Sequence, residues 1–153
     1  MPLAGFERRD GKEMIKVLRI AGAIVAGLAL SFVLVILVEI FSEVVYPAPK
    51  EAHTSMEAMC AHVAAYPPWI LAMVVPMWGT IAFLGTWVAR RLGNFGSGIF
   101  VGTLLFAAAA WNVIMLPYYV WFKVVILIAV PAAVLLGLRC WGHPKVIAVA
   151  EGG

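Results

Sequence analysis

Hydrophobic residues fall into four blocks along the chain, separated by short polar or proline-containing segments. The blocks run over about 20–45, 69–89, 95–116 and 118–138. Each is close to the ~20 residues that a helix needs to cross a bilayer, and none carries the regular polar stripe of a soluble bundle. The pattern therefore predicts an all-α fold, an integral membrane four-helix bundle that forms a single domain over 1–153.

Composition supports the membrane assignment. Hydrophobic residues make up 64% of the chain and charged residues 12%, and the mean hydropathy is +1.00, far from the composition of soluble domains. The first block is longer than the ~7–15-residue apolar core of a signal peptide, and 42–46 offers no small-residue cleavage site. We therefore expect the first block to remain as a membrane span.

The basic residues predict the orientation of the spans. Those on one side of the predicted bundle are Arg8, Arg9, Lys12, Lys16, Arg19, Arg90, Arg91, Arg139 and Lys145. The other side has only Lys50 and Lys123, so the positive-inside rule places both termini in the cytoplasm. The net charge of +3 then reflects topology. A basic tail suits anionic lipid headgroups. The sequence has no basic patch with interleaved aromatic residues, so nucleic acid is not predicted as a partner.

The connections between the blocks differ in length. We expect 1–14 to be a cytoplasmic tail, frayed or lying on the membrane surface. The segment 46–68 is long enough to carry structure on the outer side, and it has prolines at both ends. Thr54 or Ser55 is a suitable N-cap for a short helix that ends near Ala65. The sequence thus predicts a structured extracytoplasmic loop between the first two spans.

Small residues recur at four-residue spacing in every predicted span. The pairs are Ala23 and Gly27, Gly85 and Ala89, Gly98 and Gly102, and Ala133 and Gly137. Such faces allow helix backbones to approach closely, and the third span, which continues through 107–110, is expected to pack tightest. The pairs do not distinguish packing within the chain from a homo-oligomeric interface.

Polar residues on three predicted spans fall at about one depth in the outer leaflet. Glu39 lies six residues inside Val45, or roughly 9 Å at ~1.5 Å per residue. Asn112 lies at a similar depth in the third span, and so does Lys123 in the fourth. Glu43 and Tyr46 share the helix face of Glu39. Acidic groups inside the hydrocarbon region usually face a protein interior, a partner or a water-filled cavity.

Two interpretations of these residues remain open. In the first, Asn112 donates a hydrogen bond to Glu39 and Lys123 pairs with Glu43 or Glu39, which forms a polar clasp that fixes helix order. In the second, Glu39 binds a proton or a cation in an outward-facing cavity and changes its protonation during a transport cycle.

Other chemical signals are weaker. His53, Glu57, Cys60 and His62 are possible metal ligands, but they lack the clean spacing of a zinc site, so no metal or other cofactor is predicted. Cys60 and Cys140 are expected on opposite sides of the membrane. No Ser-His-Asp set, phosphate loop or haem-type histidine pair occurs in the sequence, and no catalytic residue is assigned.

Two short motifs carry a resemblance to a known family. Val38-Glu39 is followed by Tyr46-Pro47-Ala48-Pro49, and Asn112 is followed by Pro117 and Trp121-Phe122. The pattern resembles an uncharacterised family of small four-span bacterial membrane proteins over most of 20–139. The resemblance implies a four-helix bundle in a bacterial inner membrane and implies no activity. The family's His-Pro pair is replaced here by Tyr118 and Tyr119, so any role of that histidine is missing.

Three functional hypotheses follow from the sequence. The first is a non-catalytic membrane protein that self-associates or serves as an accessory subunit of a larger membrane complex. The alternative is a small transporter or channel for protons or cations that uses Glu39. The third is a membrane-embedded enzyme that acts on a lipid or a quinone.

Overall fold

The chain folds into helices joined by short connections. The computed structural model describes residues 4–140, with side chains for 13–52 and 54–140. The helices are α1 (Ala4–Val45), a 3-10 turn (Lys50–His53), α2 (Met56–Ala64), α3 (Pro68–Leu92), α4 (Phe95–Met115) and α5 (Val120–Arg139). No strand occurs within the described residues, and the predicted all-α class is confirmed.

Four of the helices are long and apolar enough to cross a membrane. They are Glu13–Val45, Pro68–Leu92, Phe95–Met115 and Val120–Arg139. Their ends lie within three residues of the predicted blocks, except that the first span begins earlier. Large apolar side chains on their outer faces are exposed, such as Phe32, Ile40 and Ile128. This is the surface that a lipid-facing bundle needs, and it supports a multi-pass membrane protein.

The N-terminal segment differs from the expectation. The first helix begins at Ala4 rather than near residue 20, so most of the predicted tail is part of a 42-residue helix. Its Glu, Arg and Lys residues have good helix propensity, and Lys16 and Glu13 form an ion pair of 3.9 Å one turn apart. Residues 1–3 lie outside the described part of the chain.

The helix α3 is the centre of the bundle. It packs against α1, α4 and α5, and its buried positions include Ile70, Leu71 and Ala89. The expectation that the third span packs tightest is therefore wrong. The alanines of α4 do not all face its neighbours, since Ala107 and Ala108 are exposed and only Ala109 of this run is fully buried.

Small residues bring the helices together at one end of the bundle. We call it the turn end, because it holds the α3–α4 turn at Gly93 and Asn94. A Cβ added to Gly27 of α1 would lie 2.8 Å from the carbonyl oxygen of Gly85 and 2.9 Å from the Ala89 Cβ. A Cβ on Gly137 of α5 would likewise lie 2.8 Å from the Phe83 carbonyl oxygen. The predicted small-residue faces thus pack helix against helix within the chain.

Hydrogen bonds stabilise the α3–α4 turn. The Asn94 side chain accepts from the Ser97 backbone N–H at 2.8 Å, and the Ser97 hydroxyl accepts from the Asn94 N–H in return. This capping box satisfies donors that the first turn of α4 would otherwise leave free. The Arg19 guanidinium donates to the Gly93 carbonyl at 3.0 Å, which ties α1 to the turn.

The close approach of α1 to α3 predicts a position-specific effect of alanine. Gly27→Ala is expected to lower the free energy of unfolding by ~1–3 kcal/mol, because backbone atoms of α3 must shift to admit the methyl group. Gly22→Ala on the same helix is the matched control, since nothing lies within 4 Å of a Cβ there. Thermal unfolding in detergent checks both variants, and equal melting temperatures would contradict the close contact.

Candidate functional site

A cavity lies at the opposite end of the bundle. We call this the loop end, because it carries 46–67 and the α4–α5 connection at 116–119. The cavity has a volume of about 640 Å³. Its walls come from α1, α2, α3, α4, α5 and the segments beside them, through Val38, Glu39, Ser42, Met56, Met59, Val63, Tyr66, Leu71, Val74, Trp78, Ala108, Trp111, Asn112, Met115, Leu116, Tyr118 and Phe122.

A second, smaller cavity continues towards the turn end. Its volume is about 230 Å³, and Glu39, Trp78, Ala108 and Asn112 line both cavities. Its other lining residues are Val35, Ile81, Ala82, Leu105, Ala109 and Val130. All of these except Ala109 lie closer to the turn end than the residues that line the outer cavity on the same helix. Glu39 and Asn112 therefore lie where a wide outer space meets a narrower inner one.

The structure brings Glu39 and Asn112 to one cavity without joining them. Glu39 is exposed and Asn112 is half-buried, and among the described residues no hydrogen bond forms between their side chains. Glu39 also has no ion pair with Lys123 in this part of the chain. The direct bonds of the predicted clasp are thus not formed within the described residues.

Two other predicted site residues lie away from the cavity wall. Lys123 is half-buried on α5, beside the buried Phe122, and it lines neither cavity. Glu43 is exposed one turn beyond Glu39, and its carboxylate accepts a hydrogen bond of 3.4 Å from the Ala48 backbone. Among the described residues, Lys123 forms no ion pair with Glu43, and neither residue lines a cavity.

Tyr46 directly follows α1 and lines neither cavity. Its ring stacks on His62 with centroids 4.8 Å apart and packs on Tyr66 at 5.1 Å. Its hydroxyl donates to the Ala65 carbonyl at 3.4 Å. The end of α1 thereby holds α2, whose Met56, Met59 and Val63 form part of the cavity wall.

The short helix α2 begins at a serine cap. The Ser55 hydroxyl accepts from the Ala58 backbone N–H at 3.5 Å, which makes Ser55 the N-cap and leaves Thr54 outside the helix. The stack of Tyr46 on His62 connects α2 to the residue that follows α1, and the Ser55 cap begins the helix. That the segment lies outside the cytoplasm stays a prediction.

Two phenols of the connections line the cavity. Burial raises the pKa of the Tyr66 hydroxyl, the charge of Glu39 raises it further, and a hydrogen bond with Ser42 lowers it in part. Burial also raises the pKa of Tyr118, followed by the effects of Tyr66 and Glu39. Both phenols therefore stay protonated at neutral pH, and they add hydrogen-bond donors to a cavity that has one carboxylate.

The weak metal candidates do not form a cluster in the described residues. Glu57 is exposed, Cys60 is half-buried and His62 is buried in the tyrosine stack. The side chain of His53 lies outside the described part. Within that part, no group of three or more His, Cys, Asp or Glu side chains is placed to hold a metal ion. Cys60 and Cys140 are both free thiols.

Several lining residues were missed in the sequence. The sequence pattern does not single out Tyr66, Trp78, Trp111 or Tyr118 as cavity residues. Trp78 lies ten residues into α3, or roughly 15 Å along it, whereas tryptophans of membrane helices concentrate near the interface. That depth is the signal that marks Trp78 as a candidate cavity residue.

Comparison with known proteins adds no further information on the site. No family model, no curated protein and no solved structure matches the chain. The family resemblance of the Glu39 and Asn112 motifs stays a prediction.

The aromatic stack at Tyr46 predicts how α2 is held. Tyr46→Ala is expected to loosen 50–66, because ring contacts of this kind contribute ~0.5–1.5 kcal/mol each beyond area burial. Tyr46→Phe keeps the ring and loses one long hydrogen bond, so it is expected to stay near wild type. Hydrogen exchange of the α2 amides measures the difference, and equal protection in both variants would show that the stack does not hold the loop.

Proposed function

We propose that this membrane protein binds a cationic solute at Glu39 and transports it across the bilayer. The observation that carries the proposal is the position of Glu39 and Asn112 on the shared wall of two cavities, unbonded to each other in the described structure. In a polar clasp these groups would satisfy one another. Here both remain available to something that enters the cavity.

The charge of the cavity favours a cation. Glu39 is the only Asp or Glu among its described lining residues, and no Lys, Arg or His is among them. A carboxylate in an apolar, low-dielectric wall attracts a positive charge more strongly than it would in bulk water. Lys123, the cation that could have neutralised Glu39 from within the chain, lines neither cavity.

The shape of the bundle favours gated movement over an open pore. Space extends from the loop end through the outer and inner cavities, to the level of Val35 and Leu105. Beyond that level the small residues of the turn end pack helix against helix. A site reached from one side and closed on the other is the arrangement that alternating access requires. With the predicted orientation, the open side is the extracytoplasmic one.

Flux in liposomes tests the proposal. Purified protein is reconstituted, and the movement of protons, sodium ions and the organic cation ethidium is followed by fluorescence. The loss of one charge partner is worth ~2 kcal/mol or more, so Glu39→Gln is expected to reduce the solute-dependent flux at least about tenfold. Glu43→Gln, one turn away and outside the cavity wall, is expected to transport like wild type.

The flux assay also has an outcome against transport. If wild type and Glu39→Gln move all three ions equally, at the rate of protein-free liposomes, the protein is not a transporter of cations through this site.

A second candidate is the accessory subunit or self-associating protein. It is favoured by the exposure of Glu39 on the isolated chain, because an acidic group in the hydrocarbon region is stabilised by a partner. A neighbouring subunit with a cationic or hydrogen-bond-donating side chain at that depth would cover the same place.

Gentle extraction of the tagged protein from its native membrane tests the second candidate. A stoichiometric partner, or a homo-oligomer that Glu39→Gln disrupts, would support a subunit role. A lone monomer in the same extract would count against it.

A further inference from the structure

We infer that the solute bound at Glu39 is a lipophilic organic cation, an ammonium or phosphonium centre carried by hydrocarbon or aromatic groups. This inference rests on the proposed cation site and specifies its ligand class. It depends on the size of the cavity, the side chains in its walls and the charge of its lining residues. Each of these limits the classes of ligand that fit the site.

The size of the outer cavity suits an organic molecule. Its volume of about 640 Å³ falls in the ~300–1,000 Å³ range of sites that bind small organic ligands. A bare divalent cation of the calcium type needs ~6–8 oxygen ligands at short range, and no described group of three or more His, Cys, Asp or Glu side chains is placed to hold a metal. Most of this space would be left unfilled by a single small ion.

The walls of the cavity are rich in aromatic rings. Five aromatic residues line it, namely Tyr66, Trp78, Trp111, Tyr118 and Phe122. The faces of such rings attract cations electrostatically, most strongly for tryptophan, and they recognise quaternary ammonium groups in this way. Rings and apolar side chains also remove hydrocarbon from water, so they bind the body of the ligand as well as its charge.

The wall formed by α2 is adaptable. Met56 and Met59 contribute to it, and methionine side chains fill irregular spaces because they are unbranched and polarizable. Together with the aromatic rings that line the same cavity, they suit ligands of varied shape. A selective site for one rigid shape would more naturally use branched side chains and a larger number of fixed polar groups.

Charge complementarity excludes phosphate-bearing amphiphiles from the inference. A phospholipid with an amine headgroup carries a phosphate next to its ammonium. The described lining offers no cation to that phosphate, and the carboxylate of Glu39 repels it. The proposal therefore commits to a ligand with net positive charge. Asn112 adds a neutral polar group beside the carboxylate and brings no opposing charge.

A pair of ions with the same shape and opposite charge tests the ligand class. Tetraphenylphosphonium and tetraphenylborate are titrated against wild-type protein in phosphatidylcholine nanodiscs, with protein-free nanodiscs as the partition baseline. We expect saturable binding of tetraphenylphosphonium at one site per chain. Tetraphenylborate is expected to bind no more than it does to the protein-free nanodiscs.

Two pairs of variants locate the binding. Glu39→Gln is expected to weaken tetraphenylphosphonium binding at least about tenfold, or ~1.4 kcal/mol or more, while Glu43→Gln leaves it within about twofold of wild type. Ala108→Phe places a ring where both cavities meet and is expected to block binding with Glu39 intact. Ala107→Phe is its control, since Ala107 lines neither cavity.

The possible outcomes separate this inference from the proposed transport. No saturable tetraphenylphosphonium binding by folded wild type, equal binding of both ions, or unchanged affinity in Glu39→Gln would overturn the ligand class. If proton or sodium flux still depends on Glu39, the transport proposal survives that result. Charge-selective binding without any Glu39-dependent flux would instead keep the ligand site and remove transport. Melting temperatures confirm that each variant is folded.

Discussion

The close contact of α1 with α3 at Gly27 and Gly85 is the constraint on which the rest of the bundle depends. Without a side chain on either residue, two backbones approach to van der Waals distance. The same device fits Gly102 and Gly137 against their neighbours at the same end. Larger side chains such as Trp78 and Trp111 line the cavity at the loop end instead.

This division of the bundle also explains where polar chemistry is tolerated. The turn end is closely packed, and its buried Ser31 hydroxyl donates to the Gly27 carbonyl at 2.9 Å. The hydroxyl of Thr86, fully buried at the same end, has no hydrogen-bond partner within the described residues. At the loop end, Glu39 and Asn112 line the cavity and share no hydrogen bond in the described part of the chain, and the raised pKa of Tyr66 keeps its hydroxyl protonated. If Glu39 and Asn112 served only to stabilise the bundle, we would expect a hydrogen bond between their side chains, as in the predicted clasp.

The sequence predicts the spans well and the site only in part. Apolar blocks of bilayer length determine four helices, and the four-residue spacing of small residues predicts faces of close approach, whose partners, such as Ala89 for Gly27, come from the structure. Depth along a helix is readable from residue counts, and Glu39 and Asn112 line one cavity. The direction in which a side chain faces is not readable, because α5 is apolar all round and has no polar face that would orient Lys123. Nor does a pattern foresee that Tyr46 stacks on His62, a contact made by the fold of the loop.

Because α1 is long, its close contact at Gly27 can act as a pivot point for the helix. A helix of 42 residues measures ~63 Å, well beyond the ~40–45 Å of a whole bilayer. Gly27 divides it unequally, with Glu39 ~18 Å to one side and Ala4 ~35 Å to the other. If α1 rocks on this contact as a rigid lever, any displacement at Glu39 appears at the far tip about twice as large and in the opposite direction. Opening and closing of the cavity would then be coupled to movement of the N-terminal end of α1, outside the membrane.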